Sequence, residues 1–366
     1  MKDYMPIFHE LFAGLGLRKF AIYGSATGAQ LAIRYGLTYP KEVEHIFLDN
    51  AAHFTDEQYE KIMENYFPDL SPQYDGSHLV KMWNIVRDMF RYFPWYMRDE
   101  SFKLNLPPLP AAVYHRVAMD FLQAGANYNL AYKAAFAHER VANVKSLKVP
   151  ATVFKHKASI VLPYIKQLID HPSFPSKVEV IETPPAPLER NDRMKAHMMK
   201  HLPSTTEEVD LSDRSSHVSR QFIKKIKGFY LHGWQRKAGT GIAKVIVPRS
   251  GDSAALLKEE MEVLLKGKPG IIVSLPGQGD SELRDKKLNQ EEIEDLLALL
   301  MKELGFKNFE IAYSQIATDK LEIQEPDAYG LYMKKAWIEL REMNPHDPDP
   351  EKLNLILLEK LKNRES

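Results

Sequence analysis

The feature that most constrains this chain is a short apolar strand that runs through a glycine-flanked turn directly into a helix. Residues 19–23 have the length and composition of a buried strand, residues 24–28 form the turn, and residues 29–39 have helical periodicity. A helix predicted over 4–15 precedes them, and a strand over 45–48 follows. Helices that alternate with short apolar strands build parallel sheets covered by helices. The sequence therefore predicts an α/β fold with a mostly parallel sheet flanked by helices.

Between about residues 55 and 140 the pattern changes to helices that are rich in aromatic residues and broken by prolines. We interpret this stretch as an inserted helical cap. Strands are predicted again at 150–154 and 178–181, and the polar stretch 204–216 is predicted to be a linker. The last third alternates in the same way, with strands predicted at 221–226, 229–235, 244–247, 270–275 and 308–312 and helices at 253–265 and 290–304.

Parts of the first half return in the second. Residues 15–22 (Leu-Gly-Leu-Arg-Lys-Phe-Ala-Ile) are echoed by residues 304–311 (Leu-Gly-Phe-Lys-Asn-Phe-Glu-Ile), at an offset of 289 positions. The stretch that begins at Trp83 is echoed by the one that begins at Trp337, at an offset of 254 positions. A partial internal repeat that has lost roughly 35 residues between strand and cap explains both offsets, and chance similarity between two helix–strand units is the alternative.

Composition narrows the range of partners. Lys and Arg together number 49, as do Asp and Glu, so the net charge gives no long-range attraction to nucleic acid or to an anionic membrane. The chain has no cysteine, which excludes disulfides, thiolate metal sites and a cysteine nucleophile. The sequence shows neither a membrane span nor a signal-peptide pattern, so a cytoplasmic location is expected. We expect a small molecule or a protein as partner, with a homodimer as one arrangement, and we predict no cofactor and no metal site.

Residues 20–29, Phe-Ala-Ile-Tyr-Gly-Ser-Ala-Thr-Gly-Ala, resemble the nucleophile elbow of the α/β-hydrolase superfamily. That motif has small residues two positions before and two after the nucleophile because the turn is tight, and Gly24 and Gly28 meet the requirement. The position of the nucleophile between them holds Ala26, which has no hydroxyl group to attack a carbonyl. Ser25 is the alternative nucleophile, although its side chain is expected to point away from the tip of the turn.

The same resemblance places the acid and the base of a catalytic triad after the last two strands of the first half. The acid position corresponds to Ser159, and residues 182–187, where the base is expected, contain no histidine. All three triad positions therefore lack their usual residue, which indicates a lost active site. A substitution introduced at a native nucleophile would explain Ala26 but neither Ser159 nor the missing histidine.

The second half resembles the beginning of the same fold. Its oxyanion loop would read Pro248-Arg249, and proline cannot donate a backbone hydrogen bond. The counterpart of the elbow places Tyr313 where a glycine is expected and Gln315 at the nucleophile position. This copy is predicted to be non-catalytic.

The resemblance implies a C-terminal half of an α/β-hydrolase over residues 1–203 and an N-terminal half with a partial cap over 217–366, joined by the linker. The strand at 244–247 then has two alternative neighbours. Pairing with 20–23 would make one composite sheet, and pairing with 308–312 would make two incomplete units. Local pairing has the lower entropic cost, which favours the second arrangement.

Five residues are candidates for ligand contact, namely Gly24, Trp83, Trp95, Tyr96 and His156. The aromatic residues could line an apolar cavity beneath the cap, and ordinary packing of the cap explains them equally well. His156 lies between two lysines, which fits an anion site or a solvated strand end.

Two functions from different classes follow. The first is a catalytically degenerate α/β-hydrolase homologue that binds a small apolar ligand or a partner in the capped pocket. The second is a hydrolase of an ester, amide or related bond with a displaced catalytic set, for example Ser25 with His78. His78 lies in the predicted cap, and its repeat counterpart Tyr332 indicates packing as another role for it.

Overall fold

The computed structural model describes residues 1–202, 220–249, 252–258, 260–281, 288–314, 321, 323–345 and 349–362. The predicted linker over 204–216 lies outside the described residues. The strands of the described part are β1 (Phe20–Ser25), β2 (Val43–Asp49), β3 (Ala151–His156), β4 (Glu179–Thr183), β5 (Arg220–Ile226), β6 (Phe229–Arg236), β7 (Ala243–Val247), β8 (Gly270–Val273) and β9 (Phe309–Tyr313).

The helices of the described part are α1 (Tyr4–Gly14), α2 (Thr27–Thr38), α3 (Asp56–Asn65), α4 (Ser77–Met89), α5 (Ala111–Ala124), α6 (Tyr128–His138), α7 (Val141–Lys145), α8 (Leu162–Ile169), α9 (Pro187–Met198), α10 (Met261–Leu265), α11 (Gln290–Glu303), α12 (Leu331–Met343) and α13 (Pro350–Lys362). The helix predicted over 253–265 is limited to α10, because residues 254–257 form turns. None of the helices in the described residues is long and apolar enough to cross a membrane.

The strands form two sheets, which confirms the predicted α/β class. The first sheet has the order β1-β2-β3-β4, and every neighbouring pair is parallel. The second has the order β5-β6-β8-β7-β9 and is mixed, since β6 runs antiparallel to β5 and β8 while β7 runs parallel to β8 and β9.

The neighbour of β7 answers the question that the sequence left open. Val245 of β7 is in register with Ile311 of β9, and β1 pairs with β2 among the described residues. The strand at 244–247 thus pairs within the second half, as the lower entropy of local loop closure favoured.

The chain divides into two compact units. Unit 1 comprises Met1–Asp69, Arg87–Pro108 and Ala124–Asp213, and unit 2 comprises Leu70–Val86, Leu109–Gln123 and Arg214–Ser366. The first sheet belongs to unit 1 and the second to unit 2. The region predicted as a single cap is therefore shared, because most of α4 and α5 belongs to unit 2 while α3 and α6 belong to unit 1.

Each sheet has its own apolar core. In unit 1, β2 is buried at six of its seven positions, as expected for a strand covered on both faces, and α2 packs Ala29 and Ile33 into the same cluster. In unit 2, Val245 and Ile271 of the sheet pack against Leu297 of α11.

The helical layer of unit 2 is built from reciprocal contacts between the two stretches that begin at Trp83 and Trp337. The Trp83 indole Nε1 donates to the carbonyl of Ala328 at 3.2 Å, and the Trp337 Nε1 donates to the carbonyl of Tyr74 at 3.0 Å. Residues 74 and 83 differ from 328 and 337 by the same 254 positions that the sequence comparison found. Each copy therefore contacts the other in the same way, as around a local two-fold axis.

Candidate ligand-binding site

The strand–turn–helix elbow predicted from the sequence is present in unit 1. Ala26 stands alone between β1 and α2, with φ 50° and ψ −116°. Its carbonyl accepts the backbone N–H of Ala29 at 2.9 Å, and its own N–H donates to the carbonyl of Asp49 at 3.0 Å. A positive φ is uncommon for a residue with a side chain, so the turn holds Ala26 in a strained conformation.

The two glycines of the elbow are not equivalent. A Cβ atom on Gly24 would lie 2.2 Å from the carbonyl oxygen of Gly28, whereas a Cβ atom on Gly28 would meet nothing within 4 Å. The tight approach therefore requires glycine at position 24 only. The expectation that both positions exclude a side chain is wrong for Gly28.

Ala26 lines a cavity of about 390 Å³. Most of the wall is apolar. It comes from the loop after β2, the end of α3, the segment around residue 93, α6 and the start of α8, with Phe54, Tyr66, Phe93, Tyr132, Ala135, Phe136 and Val161 as lining residues. Cavities of this size that are mainly apolar and carry a few polar groups are typical of small-molecule sites.

A chain of hydroxyl and amide groups crosses the polar side of the site. Ser159 Oγ donates to Asn50 Oδ1 at 2.6 Å, and Asn50 Nδ2 donates to Ser25 Oγ at 3.2 Å. Ser25 Oγ donates in turn to Asp49 Oδ2 at 3.2 Å. The structure thus connects two predicted site residues, Ser25 and Ser159, through Asn50, which the sequence analysis did not single out.

Asp49 is a second residue that the sequence analysis missed. It is fully buried at the end of β2, where its Oδ2 accepts from Tyr23 and forms an ion pair with Arg190 of α9. Its other oxygen, Oδ1, has no hydrogen-bond partner in the part of the chain that the structure describes. Since Arg190 lines the cavity, the ion pair places a buried charge beside the site.

His156 is the last residue of β3 and lines the cavity, which is consistent with its predicted contact with a ligand. Burial lowers the pKa of the imidazole below its usual 6.5, and the neighbouring Arg190 charge lowers it further. Its Nε2 atom is buried without a hydrogen-bond partner among the described residues. The ring is therefore a neutral group with an unused nitrogen beside the site.

Glu139 supplies a carboxyl group to the wall of the cavity. The residue is 6% exposed, and burial raises the pKa of the carboxyl from 4.5 to about 8, against the opposing effect of Arg140. Its Oε2 atom has no hydrogen-bond partner in the described part of the chain. Glu139 is thus held mainly as a neutral acid at pH 7, ready to exchange a hydrogen bond with a bound molecule.

The other residues predicted for ligand contact do not line this cavity. Trp95 donates from Nε1 to the carbonyl of Tyr66 at 3.3 Å, and Tyr96 packs edge-on against Trp95. Both therefore stand behind Tyr66 and support it. Gly24 lies beneath the turn, where it permits the tight backbone approach.

His78 and Trp83 belong to unit 2, where both are buried. His78 Nδ1 accepts from the backbone N–H of Gln73 at 3.0 Å, and Nε2 lies 3.2 Å from Asn354 Oδ1. Trp83 makes the reciprocal contact described above. These interactions give both residues packing roles, and Ser25 and Ser159 have no histidine nitrogen as a hydrogen-bond partner among the described residues.

The loop that resembles an oxyanion loop is tied to other elements of unit 2. Gln278 Nε2 donates to the Arg249 carbonyl at 2.9 Å, and Arg249 Nε donates to the Ser314 carbonyl at 2.9 Å. The predicted second elbow lies in part outside the described residues, because Gln315 is not among them.

The geometry defines an α/β protein with a strained strand-to-helix elbow and a mainly apolar cavity at its tip. No protein-family model and no curated protein matches the chain. Among solved structures, the chain is similar to Cfl2 from Burkholderia cenocepacia at 22% identity and a TM-score of 0.24, covering 28% of this chain and 34% of that chain.

Two further solved structures are enzymes. An epoxide hydrolase from Vigna radiata matches at 15% identity and a TM-score of 0.23, covering 27% of this chain and 33% of that one. A loop variant of a haloalkane dehalogenase from Bradyrhizobium elkanii matches at 16% identity and a TM-score of 0.23, covering 26% and 31%. The chain spans about a third of the length of these proteins. The assignment of this chain to the α/β class therefore rests on its own two sheets and not on these similarities.

Proposed function

We propose that unit 1 binds a small, mainly apolar molecule in the cavity at the elbow and does not hydrolyse it, as expected of a catalytically degenerate homologue of the α/β-hydrolases. The observation that carries the proposal is the cavity itself, a mainly apolar space of about 390 Å³ that Ala26 helps to line. A hydrolase of this kind would present its attacking atom at that position.

The polar groups of the wall indicate what the ligand carries. Glu139 as a neutral acid can donate or accept one hydrogen bond, and the neutral imidazole of His156 offers a second. Both have an atom without a partner in the described residues, which is unfavourable in an apolar setting unless a bound molecule supplies one. The proposed ligand therefore has an apolar body and at least one hydrogen-bonding group.

A cavity-filling substitution tests the binding. Ala135 and Ala137 both lie on α6, but Ala135 lines the cavity and is buried, whereas Ala137 is exposed. We expect wild type and Ala137→Phe to bind at least one of benzyl alcohol, cyclohexanol and indole in isothermal titration, and Ala135→Phe to bind it at least about tenfold more weakly, because the added ring occupies the site.

Equal affinity in the three proteins would contradict the proposal, and so would the absence of binding to wild type for all three compounds. The folded state of Ala135→Phe is checked by its thermal unfolding, so that lost binding is not confused with lost structure.

The second candidate is a hydrolase that uses a displaced serine. Two observations favour it: the strained elbow is retained, and Ser159 lines the cavity together with His156. A serine-reactive phosphonate and a panel of short acyl esters test it directly. We expect neither labelling nor turnover, because Ser159 donates to the amide of Asn50, and Ser25 donates to Asp49, whose carboxylate is ion-paired with Arg190, instead of to a histidine. Stoichiometric labelling that Ser25→Ala or Ser159→Ala abolishes would favour the hydrolase.

A further inference from the structure

A second cluster of polar side chains lies in unit 1 outside the cavity. Glu179 is the first residue of β4, His197 lies in the last turn of α9, and His201 ends the short 3₁₀ segment Met199–His201. One carboxylate oxygen and one ring nitrogen of each histidine all lie within 4.8 Å of one another. Residues four apart share a helix face, so two imidazoles and a carboxylate converge from two elements.

The separation of these groups matches the needs of a zinc ion. His197 Nε2 lies 3.2 Å from Glu179 Oε2. Two ligands that hold a tetrahedral zinc ion at about 2.1 Å lie about 3.4 Å apart, so this pair already has the required spacing. The ligand atoms of all three residues lie within 4.8 Å of one another, so the His201 nitrogen has to move by at most about 1.4 Å to reach the same spacing. A side-chain rotation of His201 supplies this movement and completes a set of three ligands.

The surroundings orient one of the ligands. The His45 ring packs on the His201 ring, with 4.4 Å between the ring centres, and Thr152 Oγ1 lies 2.8 Å from His45 Nε2. Neighbours that restrict the orientation of a ligating imidazole strengthen metal binding. Thr152 Oγ1 also lies 3.2 Å from His197 Nε2, the nitrogen that faces Glu179, so a bound ion replaces this contact.

The cluster is also accessible. His201 and His45 line an open cavity of about 490 Å³, and Glu179 is half-exposed. An ion can therefore enter from solvent and keep a water molecule as its fourth ligand, as zinc ions with three protein ligands do.

We propose that Glu179, His197 and His201 form a zinc-binding site. Two imidazole nitrogens and one carboxylate oxygen are donors that zinc accepts, and the cysteine-free chain offers no thiolate that would favour a softer metal. The sequence analysis predicted no metal site. The His-x-x-x-His spacing at 197–201 was the available signal, and only the fold adds the carboxylate from β4.

Titration of the untagged, metal-free protein with Zn²⁺ and with Co²⁺ tests the site. We expect one Zn²⁺ per chain in isothermal titration and the visible absorption of tetrahedral Co²⁺. His201→Ala and Glu179→Gln should each weaken Zn²⁺ binding by about 100-fold and remove the Zn²⁺-induced rise in melting temperature. Both positions are at least partly exposed, so these variants are expected to fold.

His9 and Glu42 provide the matched control, because they also form a histidine–carboxylate pair at 3.2 Å, but among the described residues no third histidine or carboxylate joins them in a cluster. His9→Ala should leave Zn²⁺ affinity unchanged. The proposal fails if wild type binds no stoichiometric Zn²⁺, or if His201→Ala and Glu179→Gln bind it as tightly as wild type does. Since this cluster is separate from the cavity at the elbow, the result does not depend on whether the cavity binds a ligand.

Discussion

At the scale of single residues, the candidate site is centred on Ala26 at the tip of the turn. Ala26 keeps the strained backbone of an elbow, and its carbonyl and N–H are both used to hold the turn. The polar groups nearby are engaged with one another, from Ser159 through Asn50 and Ser25 to Asp49. Buried polar atoms without a hydrogen-bond partner among the described residues remain on Glu139, His156 and Arg190 of the cavity wall and on the neighbouring Asp49. The proposal of ligand binding without covalent chemistry rests on these residues.

Glu139 makes stability depend on pH in a defined direction. Burial raises the pKa of the carboxyl to about 8 in the folded protein, above its ordinary value of 4.5. Between these pH values the folded state binds more protons than the unfolded state, so the contribution of Glu139 to stability falls as pH rises from 4.5 to about 8. We expect Glu139→Gln to remove this fall and to increase the free energy of unfolding at pH 7 by about 2–3 kcal/mol.

Urea unfolding at several pH values measures this effect. Glu60→Gln, which changes an exposed glutamate of α3, serves as the control and should lie within about 0.5 kcal/mol of wild type. A pH profile of Glu139→Gln that runs parallel to that of wild type would show that the buried carboxyl is ionised in the folded state.

At the scale of elements, the two pairs of segments that the sequence comparison matched share their local geometry. The helix ends before β1 and β9 are closed by the same hydrogen bonds, from the N–H of Leu17 to the carbonyl of Phe12 and from that of Phe306 to that of Met301, both at 2.9 Å. These positions differ by the offset of 289 found in the sequence. Together with the reciprocal tryptophan contacts, they support the hypothesis of an internal repeat.

The reciprocal contacts of α4 and α12 require glycine at two equivalent positions. A Cβ atom on Gly330 would lie 2.3 Å from Cγ of Trp83, and one on Gly76 would lie 2.7 Å from Cδ1 of Trp337. Both glycines also have a positive φ, and both indoles are completely buried and cannot move aside. The close approach of backbone to indole therefore fixes how the two helices pack.

Gly330→Ala should consequently lower the free energy of unfolding by about 3–5 kcal/mol, from backbone strain and overpacking together. Gly305→Ala is the matched control, since Gly305 also has a positive φ but its Cβ atom would meet nothing within 4 Å. We expect a loss of about 1–2 kcal/mol there, from strain alone. Equal losses in urea unfolding would indicate that Trp83 is not held against Gly330.

At the scale of the whole molecule, each sheet ends at one strand of the proposed repeat. β1 is the edge strand of the first sheet and β9 is the edge strand of the second. In chain order, the neighbour of β1 follows it, whereas the neighbour of β9 precedes it. If β1 and β9 are copies of one strand, the first sheet contains the strands that follow this strand in the chain, and the second sheet contains the strands that precede it. The division of the chain into two half-folds stays a prediction.

Unit 2 also takes two segments from the first half of the chain, which gives a prediction about truncation. A chain that ends at residue 203 retains α4 and α5 but loses α12 and α13. Met82 and Trp83 of α4 are completely buried, so their exposure should cause aggregation or strong binding of an apolar dye. Size-exclusion chromatography and dye fluorescence, compared with the whole chain, measure this.

The control is the same truncated chain with Leu79 and Trp83 replaced by glutamine. These substitutions make the newly exposed face of α4 polar, so they test whether that face causes the aggregation. The substituted chain should aggregate less than the unmodified truncation. A monomeric 1–203 chain that unfolds cooperatively would contradict the assignment of α4 to the core of unit 2.

The sequence by itself determined the local units of this protein. Apolar runs and glycines within about ten residues of one another predicted the elbow around Ala26, the strands on either side of it and the repeat of the helix end at Leu304, because short-range periodicity and turn chemistry decide such features. The resemblance to a hydrolase triad singled out Ser159, and the two neighbouring lysines singled out His156; both line the cavity.

Only the tertiary structure decided which distant residues share a site. Asn50 meets Ser159 across 109 positions, and Arg190 meets Asp49 across 141. The sheet brings them together because parallel strands end at one edge, and no pattern within either segment encodes the partner. The same holds for Trp83, a plausible ligand contact by composition, which long-range packing places against Ala328 in unit 2. Burial, which makes Glu139 a neutral acid, is likewise a property of the fold and not of the residue.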